Sequence, residues 1–205
     1  MGVPLPDETA AAISAIVDGV RAQPLPAGAR DVRWVRLDGL HLTLRFLGPT
    51  PERLVDRTAA AVREVARAAD GPIDLQLTGA GAFPRADRPR TLWIGVGGDL
   101  SELAALAAKA EAALVEAGWP AETRPFRPHL TLARSDGIAV GGLVAERLAA
   151  AMRDRSIACR VDRLGLFESV TGGGPARYVP VAQEPLSPMP ASAGPVYHPT
   201  TPDPP

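Results

Sequence analysis

The 205-residue chain has one cysteine, and aromatic residues make up only 4% of it. The single cysteine, Cys159, cannot form an internal disulfide, and its apolar neighbours indicate a small buried side chain rather than a nucleophile. We therefore expect a cytoplasmic protein in a reducing compartment. No apolar run approaches the roughly 18 residues that a membrane-spanning helix needs. Residues 1–8 also lack the basic and apolar regions of a signal peptide.

An excess of positive charge is also missing, since the net charge is −1 at pH 7. This balance argues against a broad electrostatic grip on long nucleic acid, although local phosphate binding remains possible. Lys109 is the only lysine, so arginine supplies nearly all of the basic charge. The length and the hydrophobic fraction of 46% fit one domain with a substantial core, or two fused half-domains.

Helical and alternating patterns along the chain predict an α+β protein with antiparallel sheets. The predicted helices cover residues 7–21, 51–70, 99–115 and 142–153. The predicted strands cover residues 32–37, 40–47, 73–77, 90–96, 129–134, 157–168 and 177–182. Asp38-Gly39 predicts a hairpin between the first two strands. We expect residues 1–186 to form the domain and the proline-rich residues 187–205 to form a disordered tail.

Two of the three histidines lie in identical His-Leu-Thr-Leu segments, which begin at His41 and His129. Side chains alternate between the two faces of a strand, so His41 shares a face with Thr43, and His129 with Thr131. Either histidine alone is as well explained by a structural role. Together they favour catalysis, because an inward-facing core surface has little use for adjacent His and Thr side chains. A pseudo-twofold arrangement would place the two imidazoles across a cleft.

Paired imidazoles suit attack on a phosphodiester without a metal ion. One imidazole accepts a proton from the nucleophile while the other donates one to the leaving oxygen. The hydroxyls of Thr43 and Thr131 are placed to stabilise the non-bridging phosphate oxygens. A metal site is the rival explanation, but neither segment carries the carboxylate or cysteine ligands that it would add. We expect neither a metal nor a cofactor.

Further segments accompany the two histidine motifs. They are Trp34-Val35, Arg45 to Gly48, Phe83-Pro84, Pro89-Arg90, Trp93, Phe126, Pro128, Ala133-Arg134, Leu166 to Ser169, and Gly174-Pro175 with Tyr178. In these residues, over roughly positions 3–186, the sequence resembles the 2H phosphoesterases. It is most similar to the bacterial and archaeal RNA 2′,3′-cyclic phosphodiesterases, which are also called 2′-5′ RNA ligases.

The resemblance implies a bilobal pseudo-twofold fold, in which two antiparallel sheets flank a central cleft and the helices lie outside. It implies hydrolysis of RNA or nucleotide 2′,3′-cyclic phosphates to 2′-phosphates, with RNA ends or cyclic nucleotides as partners and His41 and His129 as the catalytic residues. We expect a monomer. One alternative is a 2′-5′ ligase that joins cyclic-phosphate and 5′-hydroxyl ends. Another is a module that binds RNA ends or nucleotides without turnover.

The resemblance also implies that Arg134 assists with the phosphate. Strict alternation would place Arg134 on the leucine face of its strand, so this role requires a twist or bulge at the strand end. Arg45 shares the face of His41 and Thr43, which leaves a substrate contact and a rim salt bridge as equal possibilities.

Phe83, Phe126 and Tyr178 could stack a nucleobase, although both phenylalanines could equally belong to the core. One feature departs from the family. Its members begin with an apolar strand, whereas this chain begins at Met1 and reaches Pro4 and Pro6 within a few residues. We therefore expect most of that strand to be missing.

Overall fold

The computed structural model describes residues 1–135, 140–170, 172 and 175–187. Within these residues the elements are β1 (Gly2–Pro4), α1 (Asp7–Arg21), β2 (Arg33–Trp34), β3 (His41–Thr43), α2 (Glu52–Arg67), β4 (Ile73–Phe83), β5 (Thr91–Gly98), α3 (Leu100–Glu116), β6 (His129–Arg134), α4 (Gly141–Met152), β7 (Ser156–Val161), β8 (Arg163–Val170) and β9 (Arg177–Pro185). The described strand pairs are antiparallel, which confirms the predicted α+β class.

The strands form two sheets. One has the order β3-β1-β8-β9, and the other has the order β2-β6-β5-β4-β7. On the four-stranded sheet, helix α2 packs on β8 and β9 and also contacts α3. On the five-stranded sheet, α4 packs on β4 and β5, and α1 packs on β7 and also contacts α4. Each sheet thus has helices on its outer side, as the bilobal prediction requires. None of the described helices has the length and hydrophobicity needed to span a lipid bilayer.

The helix ends follow local chemistry. The sequence offers Asp99 or Ser101 as the N-cap of α3; Asp99 occupies that position, but its side chain makes no capping hydrogen bond. The same helix ends before Gly118, whose φ of +104° suits a residue without a Cβ atom. The backbone N–H of Trp119 then donates to the carbonyl of Leu114 at 3.0 Å. The predicted ends of this helix are therefore correct.

The first strand, of which most was expected to be missing, is short but present: β1 has three residues and occupies an inner position of the four-stranded sheet. Val3 pairs with Leu42 on one side, and Gly2 pairs with Gly165 on the other. The side chain of Val3 is fully buried. Three residues suffice because a strand held between two neighbours gains backbone hydrogen bonds along both edges.

The predicted hairpin or near-hairpin connection at Asp38-Gly39 is wrong. Strand β2 pairs with β6 in the five-stranded sheet, whereas β3 pairs with β1 in the four-stranded sheet. The intervening segment therefore crosses from one lobe to the other. Its hydrogen bonds reflect that crossing, since the N–H of Val35 donates to Leu132 and the carbonyl of Leu40 accepts from Leu5. The alternating pattern identified the strand faces but could not identify the partner strands.

The predicted domain boundary falls at a buried anchor. Leu186 is only 3% exposed, and the backbone N–H of Ser187 donates to the carbonyl of Ala66 at 3.1 Å. Residues 188–205 of the predicted tail lie outside the described residues.

Cys159 is fully buried, as predicted, and burial raises the pKa of its thiol to about 11. That environment keeps the thiol protonated and unreactive.

A buried polar pair connects α2 to the segment that leads toward the second histidine motif. The indole Nε1 of Trp119 donates to Thr58 Oγ1 at 2.9 Å, and this hydroxyl donates to the carbonyl of Leu54 at 2.6 Å. Thr58 is fully buried and Trp119 is 8% exposed. Water therefore cannot easily replace either partner.

We predict that Thr58→Val destabilises the protein by about 1–3 kcal/mol, because it leaves the Trp119 N–H buried without an acceptor. Urea denaturation measures this change. Thr123→Val is the matched control at an exposed threonine and should stay within about 0.5 kcal/mol of wild type. A Thr58→Val variant as stable as wild type would show that this hydrogen bond is replaceable.

Candidate active site

The two histidine motifs line one cleft between the sheets, with a cavity volume of about 1540 Å³. His41 and Thr43 lie on β3, while His129 and Thr131 lie on β6, and all four side chains contribute to the lining. The leucines between them are buried behind the strands, with Leu42 1% exposed and Leu130 fully buried. The structure therefore brings the two predicted pairs together, with the alternation that the sequence predicts.

The same backbone contact orients both imidazoles. His41 Nδ1 lies 3.0 Å from the carbonyl oxygen of Gly39, and His129 Nδ1 lies 2.7 Å from that of Arg127. A carbonyl oxygen can only accept a hydrogen bond, so each Nδ1 carries the hydrogen. Each Nε2 is consequently the nitrogen available for proton exchange. His41 and His129 therefore have the same neutral tautomer, with the hydrogen on Nδ1.

Aromatic rings surround His41. Phe167 stacks on its imidazole with a centroid distance of 4.6 Å and an interplanar angle of 14°. Tyr178 approaches edge-on, also at 4.6 Å. Gly165 makes room for this arrangement, because a Cβ atom there would lie 2.8 Å from the Phe167 ring. The stacking partner Phe167 was not among the predicted site residues. Its only sequence signal was its place in the segment Leu166 to Ser169.

Burial lowers the pKa of His41 below its ordinary value, and the hydrogen bond to Gly39 only partly opposes this effect. Removing the imidazolium from water is costly, and the positive charge of the N-terminus lowers the pKa of His41 further. His41 therefore favours its neutral form, with a free lone pair on Nε2.

A bulge in β6 turns Arg134 toward the cleft. Leu92 pairs with Ala133 and Trp93 pairs with Thr131, so Leu132 is an extra residue on β6. Leu132 and Ala133 are both fully buried. The residue after them returns to the cleft side, where Arg134 joins the lining and donates from Nη1 to Thr91 Oγ1 at 3.1 Å. The bulge that the role implied for Arg134 requires at this strand end is present.

Of the two possibilities for Arg45, the structure shows the salt bridge, because protein groups surround its guanidinium. Nη1 lies 2.8 Å from Glu122 and Nε lies 3.1 Å from Glu111, while Nη2 donates to the carbonyl of Pro120 at 2.7 Å. The Arg45 side chain is 11% exposed. With these partners in place, its charge is balanced locally, and the salt-bridge alternative is the one observed.

The aromatic candidates take different positions in the cleft. Phe83 lies edge-on to His129 with a centroid distance of 5.1 Å, and it also contacts Trp93. Phe126 lines the cleft but packs partly against the hydrophobic core. Tyr178 contacts His41 as described above. Among the residues that the structure describes, no cluster of three or more His, Cys, Asp or Glu side chains could hold a metal ion.

Comparisons with known proteins agree with this geometry. The family model of the 2′-5′ RNA ligase superfamily matches residues 5–173. The RNA 2′,3′-cyclic phosphodiesterase of Aeropyrum pernix is 39% identical over 110 residues, which are 52% of this chain and 58% of that protein. The enzyme of the same name from Methanothermobacter thermautotrophicus is 29% identical over 152 residues, which are 74% of this chain and 81% of that protein. The first three relatives found are matched over only 58%, 40% and 54% of their own lengths.

Solved structures match over more of the chain. A crystal structure from Thermus thermophilus superposes with a TM-score of 0.70 at 26% identity, covering 92% of this chain and 97% of that one. Escherichia coli LigT in complex with 3′-AMP superposes with a TM-score of 0.65 at 26% identity, covering 91% and 95%. These similarities extend across both lobes.

The lowered pKa of His41 predicts a pH dependence of stability. As the pH falls below about 6.5, unfolded His41 binds a proton more readily than folded His41, so the free energy of unfolding decreases. We expect His41→Gln to lose less stability than wild type between about pH 7.5 and about pH 5.5. Urea denaturation at both pH values provides the comparison. Equal losses in the two proteins would contradict a depressed pKa at His41.

Proposed function

This chain belongs to the 2′-5′ RNA ligase superfamily, and from that membership we propose that it hydrolyses the 2′,3′-cyclic phosphate of an RNA end or nucleotide to a 2′-phosphate. The observation that carries the proposal is the pair of imidazoles in one cleft, each anchored through Nδ1 to a backbone carbonyl. The curated relatives named RNA 2′,3′-cyclic phosphodiesterase support the same substrate class.

In the proposed reaction, water attacks the cyclic phosphorus and the bond from phosphorus to the 3′ oxygen breaks. His41 accepts a proton from the water through Nε2, a role that its lowered pKa favours at neutral pH. His129 donates a proton from Nε2 to the departing 3′ oxygen. A 3′-hydroxyl and a 2′-phosphate monoester result, and the two imidazoles have exchanged protonation states. No step requires a metal ion.

Charge that develops on the non-bridging phosphate oxygens needs hydrogen-bond donors. Thr43 and Thr131 supply hydroxyls on the same strand faces as the histidines, and Arg134 supplies a guanidinium on the cleft side of the β6 bulge. We propose these three residues as the phosphate-binding set. Phe83 and Phe126 are the candidates for contact with the terminal nucleobase. We also propose that the protein acts as a cytoplasmic monomer.

Ligation is the second candidate activity, since the matching family is described as a 2′-5′ RNA ligase superfamily. In this reaction the 5′-hydroxyl of an RNA end replaces water as the nucleophile, His41 accepts its proton, and His129 donates a proton to the 3′ oxygen as the bond from phosphorus to that oxygen breaks. Attack of that hydroxyl on the cyclic phosphate gives a 2′-5′ linkage. In the reverse reaction, in which the 3′-hydroxyl attacks the 2′-5′ linkage and re-forms the cyclic phosphate, the two histidines would exchange roles.

We predict that His41→Ala and His129→Ala each reduce turnover of a 2′,3′-cyclic nucleotide by about 10²–10⁴-fold, the range for positioned acid and base groups. The double variant should lose far less than the product of the two effects, because the groups act as one unit. Assays are run with excess chelator, which wild type should tolerate. Complete loss with chelator, restored by one divalent ion, would exclude the proposed mechanism.

The rate of hydrolysis should follow a bell-shaped pH profile near neutrality, because one imidazole must be neutral and the other charged. Thr43→Val and Thr131→Val should lower the rate and keep the bell, since threonine does not titrate in this range. Each histidine variant should instead flatten one limb. The measurement is the pH–rate profile of wild type and these four variants. A rate that rises steadily to alkaline pH would indicate attack by hydroxide and contradict the proposal.

A further inference from the structure

The cleft continues past the histidines into a second region, which lies between the loop of residues 44–50 and helix α3. We call this region the loop arm. Its walls are apolar and are formed by Phe46, Leu47 and Pro49 of the loop and by Ala104, Ala107 and Ala108 of α3. The whole cavity measures about 1540 Å³. Pockets for one small ligand usually measure about 300–1,000 Å³, so this cavity has room for more than a terminal nucleotide.

Phe46 is the exposed aromatic ring of the loop arm. It is 70% exposed, which is the highest value among the large hydrophobic side chains that the structure describes. A ring that contributes this little to the core is available for a ligand. Exposed aromatic rings in the grooves of single-strand-binding proteins commonly serve as stacking platforms for nucleobases.

The loop that carries Phe46 is held in place by the contacts of the preceding residue, Arg45. Arg45 pairs with Glu111 on α3 and with Glu122, as described above. Its backbone N–H also donates to the carbonyl of Met1 at 3.1 Å. Gly48, with a φ of +70°, turns the chain back after the ring. A platform fixed in this way loses little conformational entropy when a ligand binds.

We propose that the loop arm binds the nucleobase of the penultimate nucleotide of an RNA that ends in a 2′,3′-cyclic phosphate, with the base stacked on Phe46. This inference rests on the proposed function. When the cyclic phosphate lies between His41 and His129 and the terminal base contacts Phe83 or Phe126, the penultimate nucleotide follows the terminal ribose, and the loop arm belongs to the same continuous cleft. Arg127, exposed at the same cleft, provides a cation for the connecting phosphodiester. The preferred substrate class is therefore an oligonucleotide end rather than a mononucleotide.

Three substrates test this inference with the full chain. They are adenosine 2′,3′-cyclic phosphate, the adenosine dinucleotide that ends in the same cyclic phosphate, and that dinucleotide with an abasic ribose at its 5′ position. Stacking of one base should raise kcat/KM of the dinucleotide about 5- to 150-fold over the mononucleotide. The abasic dinucleotide should lose most of that gain. This comparison needs no variant and so does not depend on the folding of one.

Phe46→Ala should lower the ratio of dinucleotide kcat/KM to mononucleotide kcat/KM most of the way to one. Phe46→Trp should keep the wild-type ratio, because its side chain can also stack on a base. On the abasic dinucleotide, Phe46→Ala should have little effect, because the base that it would stack is absent. This comparison forms a double-mutant cycle between the protein and its substrate. Val115→Ala is the control at an exposed apolar position on α3 outside the cleft lining, and it should keep the wild-type ratio.

Equal kcat/KM for the mononucleotide and the dinucleotide in wild type would overturn the inference. An equal loss on all three substrates in Phe46→Ala would also overturn it, since the ring would then support the structure of the cleft. If the wild-type protein hydrolysed none of the three substrates, the proposed function would be overturned instead. The two failures are therefore distinguishable.

Discussion

Burial of the leucines at positions 42 and 130 is the constraint on which the candidate site depends. A strand has a period of two residues, so fixing one face in the core fixes the other in the cleft. With Leu42 and Leu130 behind the strands, each histidine and its threonine partner must face the space between the sheets. A shift of one residue in either strand would bury the imidazole and expose a leucine. The hydrophobic core thus maintains the geometry of the polar site.

The two halves of the site share a backbone device but differ in their surroundings. Each imidazole is oriented by a carbonyl two residues before it, which leaves Nε2 available in both. His41, however, lies against the face of Phe167 and the edge of Tyr178, while His129 meets the edge of Phe83. Such an asymmetry is what a reaction needs if one group is to accept a proton while the other donates one. Similar strands can therefore supply unlike partners.

The loop after β3 connects catalysis to substrate choice. Its arginine, for which the sequence left a substrate contact and a salt bridge equally open, is held by two carboxylates from α3 and the segment after it. That ion pair is structural, and its effect is to fix Phe46 at the wall of the cleft. In the proposed subsite, Arg45 influences substrate choice only by positioning the loop.

The sequence by itself determined the elements and features that depend on neighbouring residues. The helices and the strand faces of both motifs follow from local periodicity and backbone preference. The tertiary structure alone decided which strands pair and which charges meet. Strand β3 pairs with β1 rather than with β2. Glu111 and Glu122 form salt bridges with Arg45. Phe167, on a strand far away in the chain, stacks on His41. These outcomes join residues far apart in the chain, and local patterns carry no information about such partners.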